Sequence, residues 1–212
     1  MFAMYAILGV ILCVIITFIN YFIITTIVDW CLMGIAIPIF AKNCCSKTFF
    51  IEKKNRIDFQ KNIECSAFSS AYILRHLNID AAGEELYKIM PNKMKTGYVY
   101  PKGICNLLKR YGVNVKYRIG NLNSLKNEIR KGNPVIVMIK TEEDKKELHY
   151  VPVVGYDNNF IYVAESLKYL ANIDEEKYNR KIENSKFKKL WKTNELKMPL
   201  YRNTYIAIRI NH

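Results

Sequence analysis

Leu148-His149-Tyr150-Val151-Pro152-Val153-Val154-Gly155-Tyr156-Asp157-Asn158-Asn159-Phe160-Ile161-Tyr162-Val163-Ala164-Glu165 reads as a β-hairpin. Two runs rich in Val, Ile and Tyr flank an Asp-Asn-Asn turn, the pattern of paired strands at 148–156 and 160–164. Followed out along one strand and back along the other, Glu165 comes level with His149. A carboxylate in that position fixes the tautomer and orientation of an imidazole. The plainer alternative is a solvent-exposed Glu at a strand terminus. Asp157 is assigned to the turn.

Working outward, Val135-Ile136-Val137-Met138-Ile139 predicts a strand at 134–140. Gly132-Asn133-Pro134 stops a helix over 122–131 before it. A strand is expected at 113–118 and a last one at 205–210. Helices are expected at 66–77, 81–89 and 102–111, with Pro91, Gly97 and Pro101 punctuating the loop between the last two. The charged stretch 174–193 reads as helical and ends in Phe187-Lys188-Lys189-Leu190-Trp191. Helices first and a sheet meander afterwards make the class α+β rather than alternating βαβ.

The same passage narrows the chemistry. Asp58 to Glu64 reads as loop and Ser66 onward as helix, so Cys65 opens a helix, where a thiolate is stabilised. A buried Cys in that position is otherwise a small hydrophobe. Of three histidines, His212 ends the chain. His76 lies about three turns along the same helix, too far to serve Cys65. His149, at a strand start, is the candidate base. Gln60, just upstream, carries a side-chain amide able to donate to an oxyanion beside the Cys65 N–H. Thiol acyl transfer needs this set: a nucleophile, a base and an oxyanion donor. The remaining cysteines form no C-x-x-C or zinc spacing, so no metal or cofactor is expected. Cys44 and Cys45 are adjacent and follow an apolar segment, which permits S-acylation.

That segment, residues 1–40, has no Lys or Arg, and its one charged side chain is Asp29. The apolar run 2–28 exceeds the ~20 residues that cross a bilayer. It lacks the basic start and short core of a cleaved signal. We expect a membrane anchor at 1–40, single-pass or a short hairpin, a basic linker at 41–57 and a catalytic domain at 58–212. All 32 Lys and Arg fall after the anchor with 18 of the 19 acids, a formal +14. Lys42, Lys47, Lys53, Lys54 and Arg56 favour anionic headgroups and a cytoplasmic domain. The basic residues are scattered without a nucleic-acid motif, so nucleic acid is not an expected partner.

Asp58-Phe59-Gln60, Glu64-Cys65-Ser66-Ala67, Gly132-Asn133-Pro134-Val135-Ile136-Val137, His149 to Tyr156 and Val163-Ala164-Glu165-Ser166, in that order, resemble the papain-like cysteine peptidases of the bacteriocin-processing, double-glycine type. Phe187-Lys188-Lys189-Leu190-Trp191 resembles that family's closing helix. The resemblance covers roughly residues 55–210. It implies a papain-like fold with an N-terminal helical part and a C-terminal antiparallel sheet. It also implies Cys65 as nucleophile, His149 as base, Glu165 as third member and Gln60 as oxyanion donor. The implied substrate is a peptide or protein, such as a leader peptide cut after Gly-Gly. Such peptidases are often fused to an ATP-driven exporter; this chain carries no Walker A sequence and resembles a stand-alone, membrane-tethered relative. Three features differ from the family pattern: Ser66 replaces Gly, Glu165-Ser166 replaces Asp-Pro, and Gln60 sits one residue closer to the Cys. These differences leave two alternatives open: an inactive domain that binds a leader peptide, and a thiol acyltransferase or amidase on the same fold.

Overall fold

The computed structural model describes residues 2–44, 46–194 and 201–209. Cys45, His212 and Ile210, the last residue of the expected closing strand, lie outside them. Helix α1 (Phe2–Met33) is followed by short strands β1 (Ile37–Ile39) and β2 (Phe49–Phe50). Three helices come next: α2 (Cys65–His76), α3 (Gly83–Ile89) and α4 (Pro101–Arg110). Then come β3 (Asn114–Gly120), α5 (Leu122–Ile129), β4 (Val135–Lys140), β5 (Leu148–Tyr156), β6 (Phe160–Val163), β7 (Arg180–Glu183), α6 (Asn184–Trp191) and β8 (Thr204–Arg209). The class is α+β, as the sequence predicts.

The strands run β1-β3-β8-β4-β5-β6-β7 across one sheet, with β2 added against the far part of β5. Neighbours are antiparallel except β1 and β3. Both faces of the sheet are covered, which explains the unbroken apolar run of β4. Ile136 and Met138 join Val115, Tyr150, Ile206 and Ile208 in a core shared with α2, α3 and α4. Val135, Val137 and Ile139 join Val151, Val153 and Tyr205 in a second core, closed by Leu125, Ile129, Phe187, Leu190 and Trp191. This alternation is the two-residue period of a strand buried on both sides. Helix α2 belongs to both cores. Ala67, Ala71, Ile73 and Leu74 enter the first and Tyr72 the second. Its first turn therefore lies against the start of β5.

Several elements depart from the sequence expectation. The stretch 174–193 is not one helix: β7 pairs with β6, and α6 starts only at Asn184. Arg180 and Ile182 point inward while Lys181 and Glu183 point out, a strand alternation concealed by charge on both faces. The apolar stretch 30–40 completes α1 and then leaves it at Gly34, whose φ of 88° suits glycine. It continues as β1, parallel to β3. The stretch 41–57, expected as a linker, carries β2 and the buried Ile51.

Strand β2 can approach because β5 has glycine at 155. A Cβ there would lie 2.5 Å from the Phe50 ring and 3.1 Å from the Phe49 carbonyl oxygen. Gly155→Val is expected to push β2 off the sheet and lower stability by about 1–3 kcal/mol, measured as a shift in the urea midpoint. An unchanged midpoint would mean that β2 contributes nothing to the fold.

Candidate active site

Cys65 is the first residue of α2 and is buried. Its N–H is one of the helix-start amides that have no acceptor within the helix. The preceding carbonyl, of Glu64, accepts from the amides of Ala67 and Phe68 and fixes the first turn. One turn on, Ser69 Oγ donates to the Tyr150 carbonyl at 3.0 Å. That bond ties α2 to β5 one residue beyond His149.

His149, opposite Ile139 in the β4–β5 ladder, is 1% exposed. Its Nε2 lies 2.6 Å from Glu165 Oε1. The other ring nitrogen is left for the thiol, and Cys65 is near enough to the imidazole to raise its pKa. Burial alone would lower the pKa of His149, but Glu165 and Cys65 outweigh it and hold the ring well above its ordinary 6.5. Glu165 is fully buried, yet His149 and Arg180 hold its carboxyl well below the usual range. The hairpin brings these groups together less directly than strand counting implies. The register shifts between Val153 and Gly155, and Glu165 lies just beyond the end of β6. Its side chain spans the remaining gap.

The Glu165 carboxylate is fully engaged. Oε1 also accepts from the Leu167 amide at 2.8 Å, and Oε2 from Arg180 Nη1 at 2.8 Å. Asn179 grips the Glu165 backbone at both ends, accepting from its N–H at 2.7 Å and donating to its carbonyl at 2.8 Å. Neither Asn179 nor Arg180 was singled out by the sequence, because both fall inside the stretch read as a charged helix. Arg180-Lys181-Ile182-Glu183 carries charge on both faces, so its sequence held no signal for the inward turn of Arg180.

Gln60 lines the same cleft as Cys65 and His149. Its amide oxygen accepts from Ser166 Oγ at 2.6 Å, and its backbone N–H donates to the Ser166 carbonyl at 2.9 Å. One amide hydrogen is directed to the Asn62 carbonyl, which leaves a second donor. Ser166, where the resembled family carries Pro, thus orients Gln60 from the segment that carries Glu165.

The other candidates separate from this site. His76 ends α2, eleven residues from Cys65 and so roughly 16 Å along the axis. Asp157 accepts from the Asn159 and Phe160 amides and the Tyr162 hydroxyl, making the turn. Cys105 is buried, which pushes its thiol up to about 11. Cys44 contacts the Tyr156 hydroxyl at 3.3 Å, away from the cleft.

The ion pair carries a pH signature. Glu165 is depressed in the fold, so its contribution to stability is present above its ordinary 4.5 and is lost as pH falls. His149 is raised, so its contribution is full below 6.5 and is lost as pH climbs through the higher folded value. Stability from the pair is therefore greatest between these two values. Glu165→Gln is expected to flatten the acid limb and leave the His149 ring near neutral, read from melting temperature against pH in detergent. Equal acid slopes in the two proteins would contradict this.

The model of the Peptidase_C39 like family matches residues 52–196. The peptidase domain of Streptococcus ComA, a bi-functional ABC transporter involved in a quorum sensing pathway, superposes with a TM-score of 0.56 at 14% identity, covering 74% of this chain and 98% of that one. A putative C39-like peptidase from Bacillus anthracis gives a TM-score of 0.56 at 16% identity, covering 76% and 99%. No curated protein matches the chain.

Proposed function

The chain belongs to the Peptidase_C39 like family, and we propose that it is a membrane-anchored cysteine peptidase. The observation that carries this reading is one cleft in which a helix-opening thiol meets a buried imidazole whose far nitrogen is held by a buried carboxylate. The Cys65 thiol gives its proton to His149, and Sγ attacks the substrate carbonyl carbon as the C=O π pair moves onto oxygen. The Cys65 N–H and the Gln60 amide donate to that oxyanion. His149 passes its proton to the leaving amine, the C–N bond breaks and a thioester remains. Neutral His149 then takes a proton from water, which attacks the thioester, and the released sulfur regains its proton. Glu165 stays ionised throughout and keeps the ring oriented. Arg180 offsets the cost of burying that charge.

Leader-peptide processing is the substrate class implied by the resemblance to double-glycine peptidases. Anchoring rests on α1, where Met4–Val28 is long and apolar enough to cross a membrane, with mean hydropathy 2.8. Exposed Trp30, Ile35, Ile37 and Phe40 continue the apolar surface past that span, and Trp favours the membrane interface. The basic flank that follows supports a cytoplasmic side for the catalytic domain.

Cys65→Ala is expected to abolish peptide cleavage. His149→Ala is expected to slow alkylation of Cys65 by iodoacetamide about 100-fold, read by peptide mapping so that the Cys65 adduct is separated from those of the other free cysteines. Wild-type alkylation of Cys65 in the His149 variant would sink the dyad. Gln60→Ala should lower kcat by about 100-fold with KM little changed. Peptide pools from cells carrying wild-type or Cys65→Ala protein should differ. Identical pools would favour the inactive peptide-binding alternative.

A further inference from the structure

Cys65 divides the cleft into two unlike halves. On one side lie Gln60 and His149, in a cavity of about 500 Å³. On the other is a cavity of about 280 Å³ walled by Met33, Val99, Pro101, Met138, Tyr150 and Tyr201. Ile63, Cys65, Tyr98, Glu147 and Leu148 line both, so the two are neighbours on either side of the nucleophile. We propose that the second cavity is a specificity pocket for one large apolar side chain of the substrate, and that the end of α1 is one of its walls. This inference rests on the peptidase reading.

The size fits a side chain rather than a cofactor, since small-molecule sites usually occupy about 300–1,000 Å³. Most of the wall is apolar, and the hydroxyls of Tyr150 and Tyr201 are turned to each other at 3.3 Å. Ser66 also lines the cavity; its Oγ is buried and has no partner among the described residues. A peptide chain passing Cys65 offers that oxygen a backbone group, while the rest of the wall is apolar apart from Lys146 and Glu147. The resemblance to double-glycine peptidases implies glycine beside the scissile bond, and a glycine leaves this cavity unfilled. Met33 follows the apolar span Met4–Val28 by five residues, about 7.5 Å along the helix axis. The pocket therefore opens close to the membrane surface and suits an apolar segment of a peptide travelling along it.

The full chain in detergent is treated with dipeptidyl vinyl sulfones carrying Gly-Gly, Leu-Gly, Phe-Gly, Gly-Leu or Gly-Phe, and the Cys65 adduct is followed by mass spectrometry. At least one Leu or Phe probe is expected to react about tenfold or more faster than Gly-Gly. Met138→Trp, which fills the cavity from the sheet, and Met33→Trp, which fills it from α1, should each drive that ratio toward one. Met33→Ala, which only removes volume, should shift the preference from Leu toward Phe. Gly-Gly reacting as fast as every other probe, or ratios indifferent to all three substitutions, overturns the pocket and leaves the peptidase standing. If neither the probes nor iodoacetamide modifies Cys65, the peptidase reading falls and the pocket falls with it.

Discussion

The crossing of α2 over the start of β5 is the contact on which the site depends. It puts the first residue of a helix beside the second residue of a strand more than eighty positions later in the chain. Two kinds of force hold it. Ala67, Ala71, Ile73 and Leu74 are buried against Tyr150, Met138 and their neighbours, at about 25 cal/mol for each Å² of apolar surface removed from water. The Ser69 hydroxyl then sets the register, because its bond to the Tyr150 carbonyl is made at a single sliding position. Such a bond contributes only about 1 kcal/mol. Its importance is geometric: a slip of one residue along β5 would turn His149 to the opposite side of the strand.

A buried ionised Glu165 would be a large cost if it were held by His149 alone. Removing one partner of a buried charge pair costs about 3–5 kcal/mol, because the remaining charge is left uncompensated. Here the carboxylate has a second charged neighbour, Arg180, and a backbone donor from Leu167. Glutamate is one methylene longer than aspartate, and the clamp by Asn179 on its backbone, with Arg180 on its far oxygen, fixes where that longer arm ends. Ser166 extends the same segment to Gln60. The two differences from the resembled family at 165 and 166 are thus linked to the third at position 60.

The hairpin, the loop-to-helix boundary at Cys65 and the strand runs were legible because each has a local signature: a turn triplet, a two-residue period, a change of period. Their bounds fall within two residues of expectation. What was not legible had no local signature. Strands β1 and β2 are three and two residues long, too short to display a period, and they exist only because β3 and β5 offer them an edge. Ile37-Pro38-Ile39 read as a continuation of apolar sequence, although Pro is tolerated on an edge strand. Strand β7 was hidden by Lys181 and Glu183, and with it the assignment of Arg180, whose burial depends on a carboxylate fifteen residues away. Gln60 was visible, but its anchoring by Ser166 is a long-range contact that spacing alone does not reveal.

These short strands change what the apolar N-terminus does. A flexible tether of seventeen residues would let the domain swing freely from a bilayer. Instead, α1 passes through Met33 into the first core, β1 adds to the edge of β3, and Lys102 caps the helix by donating to the Cys31 carbonyl. Hydrogen bonds from Asn121, Asn123 and Asn127 to the backbone at 41–43 bind the following turn to α5. Helix α1 is thus joined to the sheet by packing, strand pairing and hydrogen bonds. If α1 spans the bilayer, the cleft is held at a fixed height above it and with a fixed face toward it, so the approach of a substrate is restricted before any side chain is recognised. That restriction requires no extra binding surface. It would follow from the way α1 continues through Met33 and β1 into the core that carries Cys65.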